Sequence, residues 1–364
     1  MTLTTPNASS DRLLALIDEF AGIRVAVVGD LLADEFIYGR ISRVSREAPV
    51  LILDYDATEI LPGGAGNAAG NVAALGGAPV AIGLAGSDET GRRMIAAMRP
   101  RVDVSGIVRP RGYRTPTKTR ILAGGVHSAK QQVVRIDRAP VNVLSDADRR
   151  AIAARLVREA RRCDALLVSD YGSGLVTPSM VATAQKLFKS PGKRQAPVLV
   201  DSRYALLRYR GMTTCTPNEP EVEQLLGVRI GENGRVLEKA GRELLTRTRA
   251  GAVLITRGSR GMALFEPDRP TVHIPIFGSD QIADVTGAGD TVIATMTLAL
   301  AAGGTFEEAA RLANYAGGLV VMKRGTATVS ADELRRAVLG AGSDLDFLKK
   351  PGRIRKSRSD PGRS

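Results

Sequence analysis

The stretch IRVAVVGD, residues 23–30, is an apolar β-branched run that ends at a polar turn, and this pattern predicts a buried strand. Similar runs recur along the chain, separated by longer segments with helical apolar spacing. The other strand runs are PVAIGLAG (79–86), DALLVSD (164–170), APVLVDS (196–202) and GAVLITRG (251–258). Helices are expected around 65–75, 90–98, 145–162, 177–189, 218–226 and 234–247. The alternation predicts right-handed βαβ units in an α/β fold, with a mostly parallel sheet covered by helices on both faces.

Two segments, at 35–56 and 115–137, interrupt this alternation. In each of them, extended stretches follow one another without a helix, and Arg and Lys are interspersed with apolar residues. Such strands usually pair antiparallel and leave one face of the sheet exposed. If the two segments pair with each other, they form a small lid over the main sheet. Surface hairpins without a gating role are the alternative.

The composition indicates a globular chain of 364 residues, long enough for two average domains or one large α/β unit with an insertion. The 44% hydrophobic residues and the 39 Gly without a triplet repeat exclude disordered and collagen-like chains. Cys163, Cys215, His127 and His273 are too few and too scattered for a disulfide framework or a zinc cage. Neither an apolar run of about 18 residues nor a signal-peptide pattern is present, so we expect a cytoplasmic protein without a membrane partner.

The net charge of +13 is concentrated near the C-terminus. Residues 349–364 carry seven basic residues and one acidic residue, hence +6, which leaves +7 for the remainder of the chain. This tail has no periodicity and little apolar surface to bury, so we expect it to be disordered. Aromatic residues are only 4%, and no zinc finger or RNA-recognition motif accompanies the charge. Nucleic acid is therefore not an expected partner, whereas anionic small molecules suit a moderately basic protein.

The sharpest chemical signal is DVTGAGDTVIATMTLALAAG, residues 284–303. Gly287, Ala288 and Gly289 form a turn with little side-chain obstruction, and a long helix of small residues begins at or just after it. Unpaired N–H groups and the helix dipole make such a helix start an anion site suited to a phosphoryl group. Asp290 beside that site could accept a proton from a hydroxyl that attacks phosphorus. Taken alone, it could equally be an acid favoured by the helix dipole.

A second glycine-rich stretch, PGGAGNAAGNVAALGG, also opens a helix at residues 62–77. Its glycines lack the dinucleotide spacing, and no G-x-x-x-x-G-K-[ST] run occurs in the chain. These two observations argue against a Rossmann dehydrogenase and exclude a P-loop kinase. Asn67 and Asn71 are four residues apart, so they share a helical face and could hydrogen-bond a polyol. Close helix–sheet packing is an equally good explanation of the small residues.

Two further runs could serve a nucleotide. TPNEPEVEQLL begins a helix, and Asn218 and Glu221 are neighbours on its first turn. They either cap the helix or position Mg²⁺ through water. LITRGSRGMALF predicts a strand, a glycine turn and a second strand. Gly258 and Gly261 either let a nucleotide lie against the backbone or simply shape the hairpin.

Together these segments resemble the PfkB or ribokinase family of sugar kinases, over about residues 23–330. The family's paired signatures, Gly-Gly near the N-terminus and D-T-x-G-A-G-D near the C-terminus, match Gly63-Gly64 and residues 284–290. The Asn-x-x-Glu run lies between them. The resemblance implies a ribokinase-like three-layer sandwich, with a mostly parallel central sheet and a small antiparallel β lid. It also implies an ATP-dependent carbohydrate kinase.

Within the family, the sequence is most similar to the branch that phosphorylates D-glycero-β-D-manno-heptose 7-phosphate. The run VVGDLLADEFIYGRISRVSREAPV carries most of this similarity, with VSDYGSGL and GTATVS further along. The branch implies transfer to the anomeric hydroxyl, which gives the 1,7-bisphosphate, a precursor of ADP-heptose and surface glycans. The sequence departs from that pattern at a few places. Arg46 stands where Pro is usual, Ser173 where Lys is common, and Asp201-Ser202-Arg203 where Asp-Pro-Lys often appears.

The resemblance divides the chain into an N-terminal extension and helix at 1–22, a kinase domain at 23–340 and the basic tail at 341–364. Many relatives are fused to a nucleotidyltransferase that carries a His-x-Gly-His motif. Because His127 and His273 are 146 positions apart, we expect the kinase activity alone. Lid strands that pair across a two-fold axis would give a homodimer.

The resemblance also implies roles for individual residues. Asp290 would take the proton of the anomeric hydroxyl, while N–H groups of 287–290, including those of Gly287, Ala288 and Gly289, stabilise the γ-phosphoryl group. The expected ATP contacts are Asn218, Glu221, Thr256, Gly258, Gly261 and Asn314. The expected sugar contacts under the lid are Asp34, Gly63, Gly64 and Asn67.

A phosphorylated sugar and a metal ion need further partners. The cations expected to bind the substrate phosphate are Arg43, Lys118, Arg120 and Arg135 of the lid segments. Mg²⁺ would be oriented through water by Glu221 and Asp170, and a monovalent cation is a further candidate cofactor.

Two alternatives stay open at this stage. The first keeps the chemistry and changes the substrate, as in another sugar or nucleoside kinase of the same family. The second is a non-catalytic sugar-binding or nucleic-acid-binding protein that uses the same fold. Intact Gly287, Gly289 and Asp290 argue against a protein without activity.

Overall fold

A nine-stranded sheet forms the centre of the protein in a computed structural model. The structure describes residues 10–124, 130–139, 144–188, 196–278, 285–323, 325 and 327–340. The predicted tail, the first nine residues, part of the second lid segment and Asp284 of the glycine-rich motif lie outside the described residues.

The described strands and helices follow the predicted alternation. The strands are β1 (Arg24–Gly29), β2 (Leu31–Val44), β3 (Leu51–Gly64), β4 (Ala78–Leu84), β5 (Asp103–Val108), β6 (Thr117–Gly124), β7 (Gln131–Arg138), β8 (Ala165–Asp170), β9 (Val198–Ser202), β10 (Thr214–Cys215), β11 (Ala252–Thr256), β12 (Met262–Phe265) and β13 (Val272–Ile274). The helices are α1 (Ser10–Asp18), α2 (Ala65–Ala74), α3 (Glu89–Met98), α4 (Asp146–Ala160), α5 (Pro178–Phe188), α6 (Glu219–Leu226), α7 (Gly234–Thr248), α8 (Ala288–Ala301), α9 (Phe306–Val321) and α10 (Ala331–Gly340). None of these helices is long and apolar enough to cross a membrane.

The large sheet has the strand order β13-β12-β11-β10-β9-β8-β1-β4-β5. All neighbours from β11 to β5 pair parallel, and only β12 and β13 are added antiparallel at one edge. The prediction of a mostly parallel sheet is therefore confirmed. The strand–turn–strand prediction for residues 254–265 is also confirmed, because β11 and β12 form that hairpin.

The sheet is buried on both faces because its strands alternate between two cores. In β1, Val25 and Val27 pack into one apolar cluster, while Ala26 and Val28 pack into the other. Helices α2, α8 and α9 contribute to the first cluster, and α4, α5 and α7 contribute to the second. Full burial of such side chains stabilises the fold by about 1.5–3 kcal/mol each. The result is the three-layer sandwich, with the carboxyl ends of the parallel strands at one edge.

The lid is a four-stranded sheet in the order β3-β2-β6-β7. β2 pairs antiparallel with β3, and β6 pairs antiparallel with β7. Each of the two segments that interrupt the alternation therefore supplies one antiparallel pair of strands, as expected. The predicted small antiparallel lid is confirmed as two antiparallel strand pairs, which β2 and β6 join at the centre by a parallel pairing. The reason is that β2 and β6 follow β1 and β5, two parallel strands of the large sheet, and therefore leave that sheet at the same edge and in the same direction.

Candidate active site

Two cavities open where the parallel strands end, which is the usual binding edge of an open α/β sheet. One, of about 500 Å³, lies under the lid between β6, β7 and the segment after β8, and we call it the lid cavity. The other, of about 460 Å³, lies between α6, α9 and the start of α8, and we call it the α8 cavity. Both are large enough for a small ligand.

The start of α8 forms one wall of the α8 cavity. Gly287 is the N-cap residue with a φ of 79°, a left-handed conformation that favours glycine, and no side chain caps the helix there. A Cβ atom added at Gly289 would meet no other atom within 4 Å, so the space beside the first turn is open. Uncapped N–H groups that face an open cavity can bind an anion. The predicted turn and helix start are therefore where an anion site requires them.

Asp290, on this first turn, is held by a buried chain of hydrogen bonds. The Nδ2 atom of Asn67 donates to its Oδ2 atom at 2.7 Å. Asn71 Nδ2 donates in turn to the Oδ1 atom of Asn67 at 3.2 Å, and Thr291 Oγ1 donates to Asn71 Oδ1 at 2.8 Å. The two Asn residues do share a face of α2, as their spacing predicts. They fix that helix against α8 and hold the carboxylate in one orientation.

The environment of Asp290 gives its carboxyl group an unusual affinity for a proton. Burial raises the pKa of Asp290 to about 7. The Asn67 hydrogen bond lowers the pKa, the nearby charge of Asp34 raises it, and Lys118 and the Tyr171 hydroxyl lower it. A general base works best when its pKa lies near the working pH. Asp290 is thus able to accept a proton at neutral pH.

The Gly-Gly pair explains how a second carboxylate approaches this region. Asp34 on β2 is buried, and its Oδ1 atom accepts a hydrogen bond from Arg120. A Cβ atom at Gly63 would lie 2.2 Å from the Oδ2 atom of Asp34, and one at Gly64 would lie 2.4 Å from the carbonyl oxygen of Asp30. Any larger residue would therefore displace Asp34 or the main chain before α2.

Strand register places most of the predicted lid residues on one face. Asp34 is opposite Lys118 across β2 and β6, and Arg120 is opposite Arg135 across β6 and β7. Because side chains alternate along a strand, these four residues share a face of the lid. Lys118 and Arg135 line the lid cavity, whereas Arg120 is engaged with Asp34.

Arg43 is not brought to this face with them. It is an exposed residue near the far end of β2, nine residues beyond Asp34. At about 3.3 Å per strand residue, it lies roughly 30 Å from Asp34. Within this chain it is therefore too distant from the lid cavity to bind the same ligand as Lys118.

The α8 cavity brings together all of the residues predicted to contact ATP. They are Asn218, Glu221, Thr256, Gly258, Gly261 and Asn314, and the cavity also contains 287–290. Apolar side chains that sequence reasoning did not single out complete the wall, namely Met262, Ile276, Val292 and Val321. Backbone N–H groups at a helix start and apolar side chains in one cavity suit a ligand that has both an anionic and an apolar part.

Three of these residues also have structural tasks. Asn218 and Glu221 form a capping box at the start of α6: the Glu221 N–H donates to Asn218 Oδ1 at 2.9 Å, and the Asn218 N–H donates to Glu221 Oε2 at 3.0 Å. Burial raises the pKa of Glu221. Asn314 Nδ2 donates to the carbonyl oxygen of Pro275 at 2.9 Å and so shapes the cavity wall.

Asp170, predicted to orient a metal through water, lines the α8 cavity but is heavily engaged. Its Oδ2 atom accepts hydrogen bonds from the hydroxyls of Ser202 and Tyr209, both at 2.8 Å, and its Oδ1 atom accepts one from the Gly172 N–H at 3.0 Å. These hydrogen bonds of the Asp170 carboxylate hold together the segments that follow β8 and β9.

Three residues that sequence reasoning left without a role stand at the strand ends. Asp201 lines the α8 cavity, and burial raises its pKa well above the usual range, helped by the charges of Asp290 and Glu221. Tyr171 and Arg203 line both cavities. The Tyr171 hydroxyl is 3.5 Å from Asp290 Oδ1, and the charge of Asp290 raises the pKa of that hydroxyl. Their signal in the sequence was their position at the end of a buried strand, for Asp201, or directly after one, for Tyr171 and Arg203.

A buried carboxylate with a raised pKa beside an uncapped helix start, on this fold, fits a class of enzyme that transfers phosphoryl groups to sugars. Residues 24–333 match the pfkB family of carbohydrate kinases, and the chain belongs to that family. Its class is accordingly that of the ATP-dependent sugar kinases.

Among curated proteins, the bifunctional protein HldE of Geobacter metallireducens is 40% identical over 326 residues, which are 89% of this chain and 64% of that protein. This chain therefore spans less than two thirds of that relative's length. A solved structure of Arabidopsis thaliana ribokinase complexed with ribose and ATP matches with a TM-score of 0.63 and 22% identity, over 91% of this chain and 100% of that one. Escherichia coli phosphofructokinase-2 in complex with potassium gives 0.68 and 21%, over 88% and 99%. Both structures confirm the ribokinase-like fold.

Proposed function

We propose that this protein transfers the γ-phosphoryl group of ATP to the anomeric hydroxyl of D-glycero-β-D-manno-heptose 7-phosphate, which yields the 1,7-bisphosphate and ADP. The resemblance of residues 27–50 to the heptose-phosphate branch supports this substrate. The similarity to a bifunctional HldE protein is in line with it. Within the structure, one observation carries the choice of a phosphorylated acceptor, namely the charge of the lid cavity.

The lid cavity is more basic than a neutral sugar requires. Four cations line it against two carboxylates: Lys118, Arg135, Arg138 and Arg203 against Asp30 and Asp137. Burial lowers the pKa of Lys118, whose ammonium group lies 4.9 Å from the centre of the Tyr171 ring. A half-buried ammonium group gains most from an anionic ligand, because an opposite charge offsets the cost of burial. The acceptor phosphate therefore binds beside Lys118 in this proposal, with Arg135 as a second partner.

In the proposed reaction, Asp290 takes the proton of the anomeric hydroxyl as that oxygen bonds to the γ-phosphorus atom. The bond from this phosphorus to the β,γ-bridging oxygen breaks, and its electron pair leaves with ADP. The N–H groups at the start of α8 stabilise the charge on the group in transit. Asp34 binds the sugar, and Asn67 holds the Asp290 carboxylate through its hydrogen bond.

Mg²⁺, when bound with ATP, neutralises phosphate charge and orients the triphosphate. Glu221 and Asp201 are the carboxylates that fit it best. Glu221 uses one oxygen in the capping box, while Asp201 accepts no hydrogen bond that would occupy it within the described chain. No group of three or more His, Cys, Asp or Glu side chains suited to a metal occurs among the described residues. That agrees with an ion held mainly by phosphates and water, as Mg²⁺ usually is at kinase sites.

A homodimer formed through the lid is part of the proposal. Ile37, Ile121 and Val134 are opposite one another across β2, β6 and β7, and Ile136 is next to them on the face away from Lys118. Val134 and Ile136 are 47% and 43% exposed, and every residue of β7 is exposed. An apolar sheet face with an open edge strand is suited to a second copy of the chain.

The test is a screen of ATP consumption with heptose 7-phosphate, free heptose, fructose 6-phosphate, ribose and adenosine as acceptors. It is run with Mg²⁺ in either Na⁺ or K⁺ buffer, because one structural neighbour is a complex with potassium. The proposal expects kcat/KM on heptose 7-phosphate to exceed that on every other acceptor by at least about 10-fold. Higher kcat/KM on a free sugar or a nucleoside would replace the substrate and keep the kinase. No turnover on any acceptor, together with binding of a sugar, would support a non-catalytic protein instead.

A further inference from the structure

We propose that Arg203 binds the phosphoryl group while it passes from ATP to the acceptor, a role that rests on the proposed kinase function. Within the described chain, Tyr171 and Arg203 are the residues common to the linings of the lid cavity and the α8 cavity. The transferred group has to cross between these cavities, close to Asp290. Of the two shared residues only Arg203 is a cation, so it stands where donor and acceptor meet.

The main chain of Arg203 is fixed, although its side chain is exposed. Arg203 directly follows β9, and its N–H donates to the carbonyl oxygen of Asp170 at 3.0 Å. The Ser202 hydroxyl donates to the Asp170 carboxylate and accepts a hydrogen bond from the Ala205 N–H at 3.2 Å. These bonds tie the segment to the end of β8. The guanidinium group therefore reaches over the cavities from a rigid base.

The guanidinium group of Arg203 is available for a ligand. It forms no ion pair with any residue that the structure describes, and its central carbon lies 5.6 Å from the centre of the Tyr204 ring. The other Arg residues of the lid cavity each have a carboxylate partner, whereas Arg203 has none among the described residues. Arg135 is paired with Asp137 at 2.6 Å, and Arg138 is paired with Glu35 at 3.1 Å.

The charge of Arg203 acts on both cavities. Burial raises the pKa of Asp201 and of Glu221, and the charge of Arg203 offsets part of both increases. Burial lowers the pKa of Lys118, and the charge of Arg203 adds to that fall. The charge of the Arg203 guanidinium group thus shifts the pKa of two carboxyl groups on one side and of the Lys118 ammonium group on the other. A phosphoryl group placed between them would be within its reach.

The residue type suits a group in transit. A planar guanidinium offers two parallel N–H donors that match two phosphoryl oxygens, and it always carries its charge. Arg and Lys clamps that meet developing charge on a transferring phosphoryl group are a recurrent source of rate. Lys118 lies on the lid side only, so it takes the phosphate of the acceptor, while Arg203 takes the γ-phosphoryl group. Lys118 thus binds the phosphate of the acceptor, and Arg203 binds the γ-phosphoryl group of ATP.

The experiment compares Arg203→Met and Arg203→Lys with the control Arg208→Met, an exposed Arg of the same segment outside both cavity linings. Calorimetry with Mg²⁺ measures the affinity for ADP and for a non-hydrolysable ATP analogue. Steady-state kinetics measures kcat and both KM values. We expect Arg203→Met to lower kcat by about 100-fold or more, with Arg203→Lys recovering part of it. Arg203→Met should weaken analogue binding at least about 5-fold relative to ADP binding.

Two results would overturn the assignment. If Arg203→Met keeps kcat and the analogue-to-ADP ratio of wild type, the residue contacts no phosphoryl group. If only the KM for the phosphorylated acceptor rises, while kcat on free and phosphorylated sugar is unchanged, Arg203 binds the acceptor phosphate instead. The nucleotide-binding comparison needs no acceptor, so it remains decisive if the true acceptor is another sugar. Failure of the proposed function is seen separately, as absent wild-type turnover on heptose 7-phosphate.

Discussion

Asn67 donates a hydrogen bond from Nδ2 to the Oδ2 atom of Asp290 at 2.7 Å, and both side chains are buried. The bond joins two glycine-rich segments that are 223 residues apart in the chain. It holds the carboxylate in place and, because it favours the ionised form, it lowers the pKa that burial raises to about 7. This hydrogen bond thus sets both the orientation of the Asp290 carboxylate and the pH range in which it is ionised.

The first prediction concerns the pH dependence of this pair. The wild-type kcat/KM should fall as pH decreases below about 7, because Asp290 has to be ionised to accept a proton. Asn67→Ala removes a hydrogen bond that lowers the pKa, so the acidic limb of its profile should move to higher pH. Initial rates at subsaturating acceptor over pH 5 to 9 measure this. Asn233→Ala, which removes a capping residue of α7 outside both cavity linings, is the control and should leave the limb unmoved. A limb at the same pH in Asn67→Ala and wild type would refute the coupling.

The second prediction concerns stability. In the unfolded chain Asp290 has a pKa near 3.8, and burial raises it to about 7 in the fold. As pH rises from about 4 to 7, the unfolded state loses this proton first, so ionisation increasingly favours unfolding, and above about pH 7 its contribution is constant. Asp290→Asn removes this contribution.

The Tm of Asp290→Asn should therefore exceed that of wild type by roughly 2 °C or more near pH 8. The difference should shrink towards pH 4. Calorimetric melting across this range, without nucleotide, provides the measurement. A difference in Tm that does not change with pH would show that Asp290 is not a strained buried acid.

The third prediction concerns the approach of Asp34 to the glycine pair. Gly63→Ala places a Cβ atom where Asp34 Oδ2 now lies, 2.2 Å away, so the carboxylate has to move. We expect kcat/KM for the acceptor to fall by about 10-fold or more, with ATP affinity nearly unchanged. Gly70→Ala is the matched control, because a Cβ atom there meets nothing within 4 Å. Equal acceptor kinetics for the two variants would mean that Asp34 has no part in binding the sugar.

The fourth prediction concerns the lid face. Val134→Lys combined with Ile136→Lys puts two charges on the exposed apolar face, and charges at the centre of an interface are strongly disfavoured. Sedimentation velocity should show wild type as a dimer and the double variant as a monomer. Leu339→Lys, which changes a 60% exposed apolar residue on α10, should remain a dimer. A wild-type monomer, or a double variant that still dimerises, would contradict the proposed interface.

Much of the fold follows from the sequence because its signals are local. The five predicted strand runs correspond to β1, β4, β8, β9 and β11, each within two residues of its predicted bounds. Continuous β-branched runs between amphipathic segments specify buried parallel strands almost by themselves. The sequence did not predict the parallel pairing of β2 with β6. The direction of each strand depends on where the chain leaves the large sheet, and no local sequence pattern contains that information.

The candidate site was predictable where a motif and a backbone requirement coincide, as at Gly63, Gly287 and Asp290. It was not predictable where the role depends on distant neighbours. Tyr171 and Arg203 line both cavities only because β8 and β9 are adjacent in the sheet, which the sequence does not state. Charged residues of the lid could be assigned to it as a group, but only the strand register separates Lys118, near the cavity, from residues near the end of β2.

The most direct test of the central claim is the activity of Asp290→Asn measured alongside its affinity for nucleotide. The account predicts that kcat on the cognate sugar falls by at least about 100-fold, while the ATP analogue binds within about 3-fold of wild type, because the amide keeps the shape but cannot take the proton. Turnover near the wild-type rate, with normal nucleotide affinity, would contradict the claim that this carboxylate is the base.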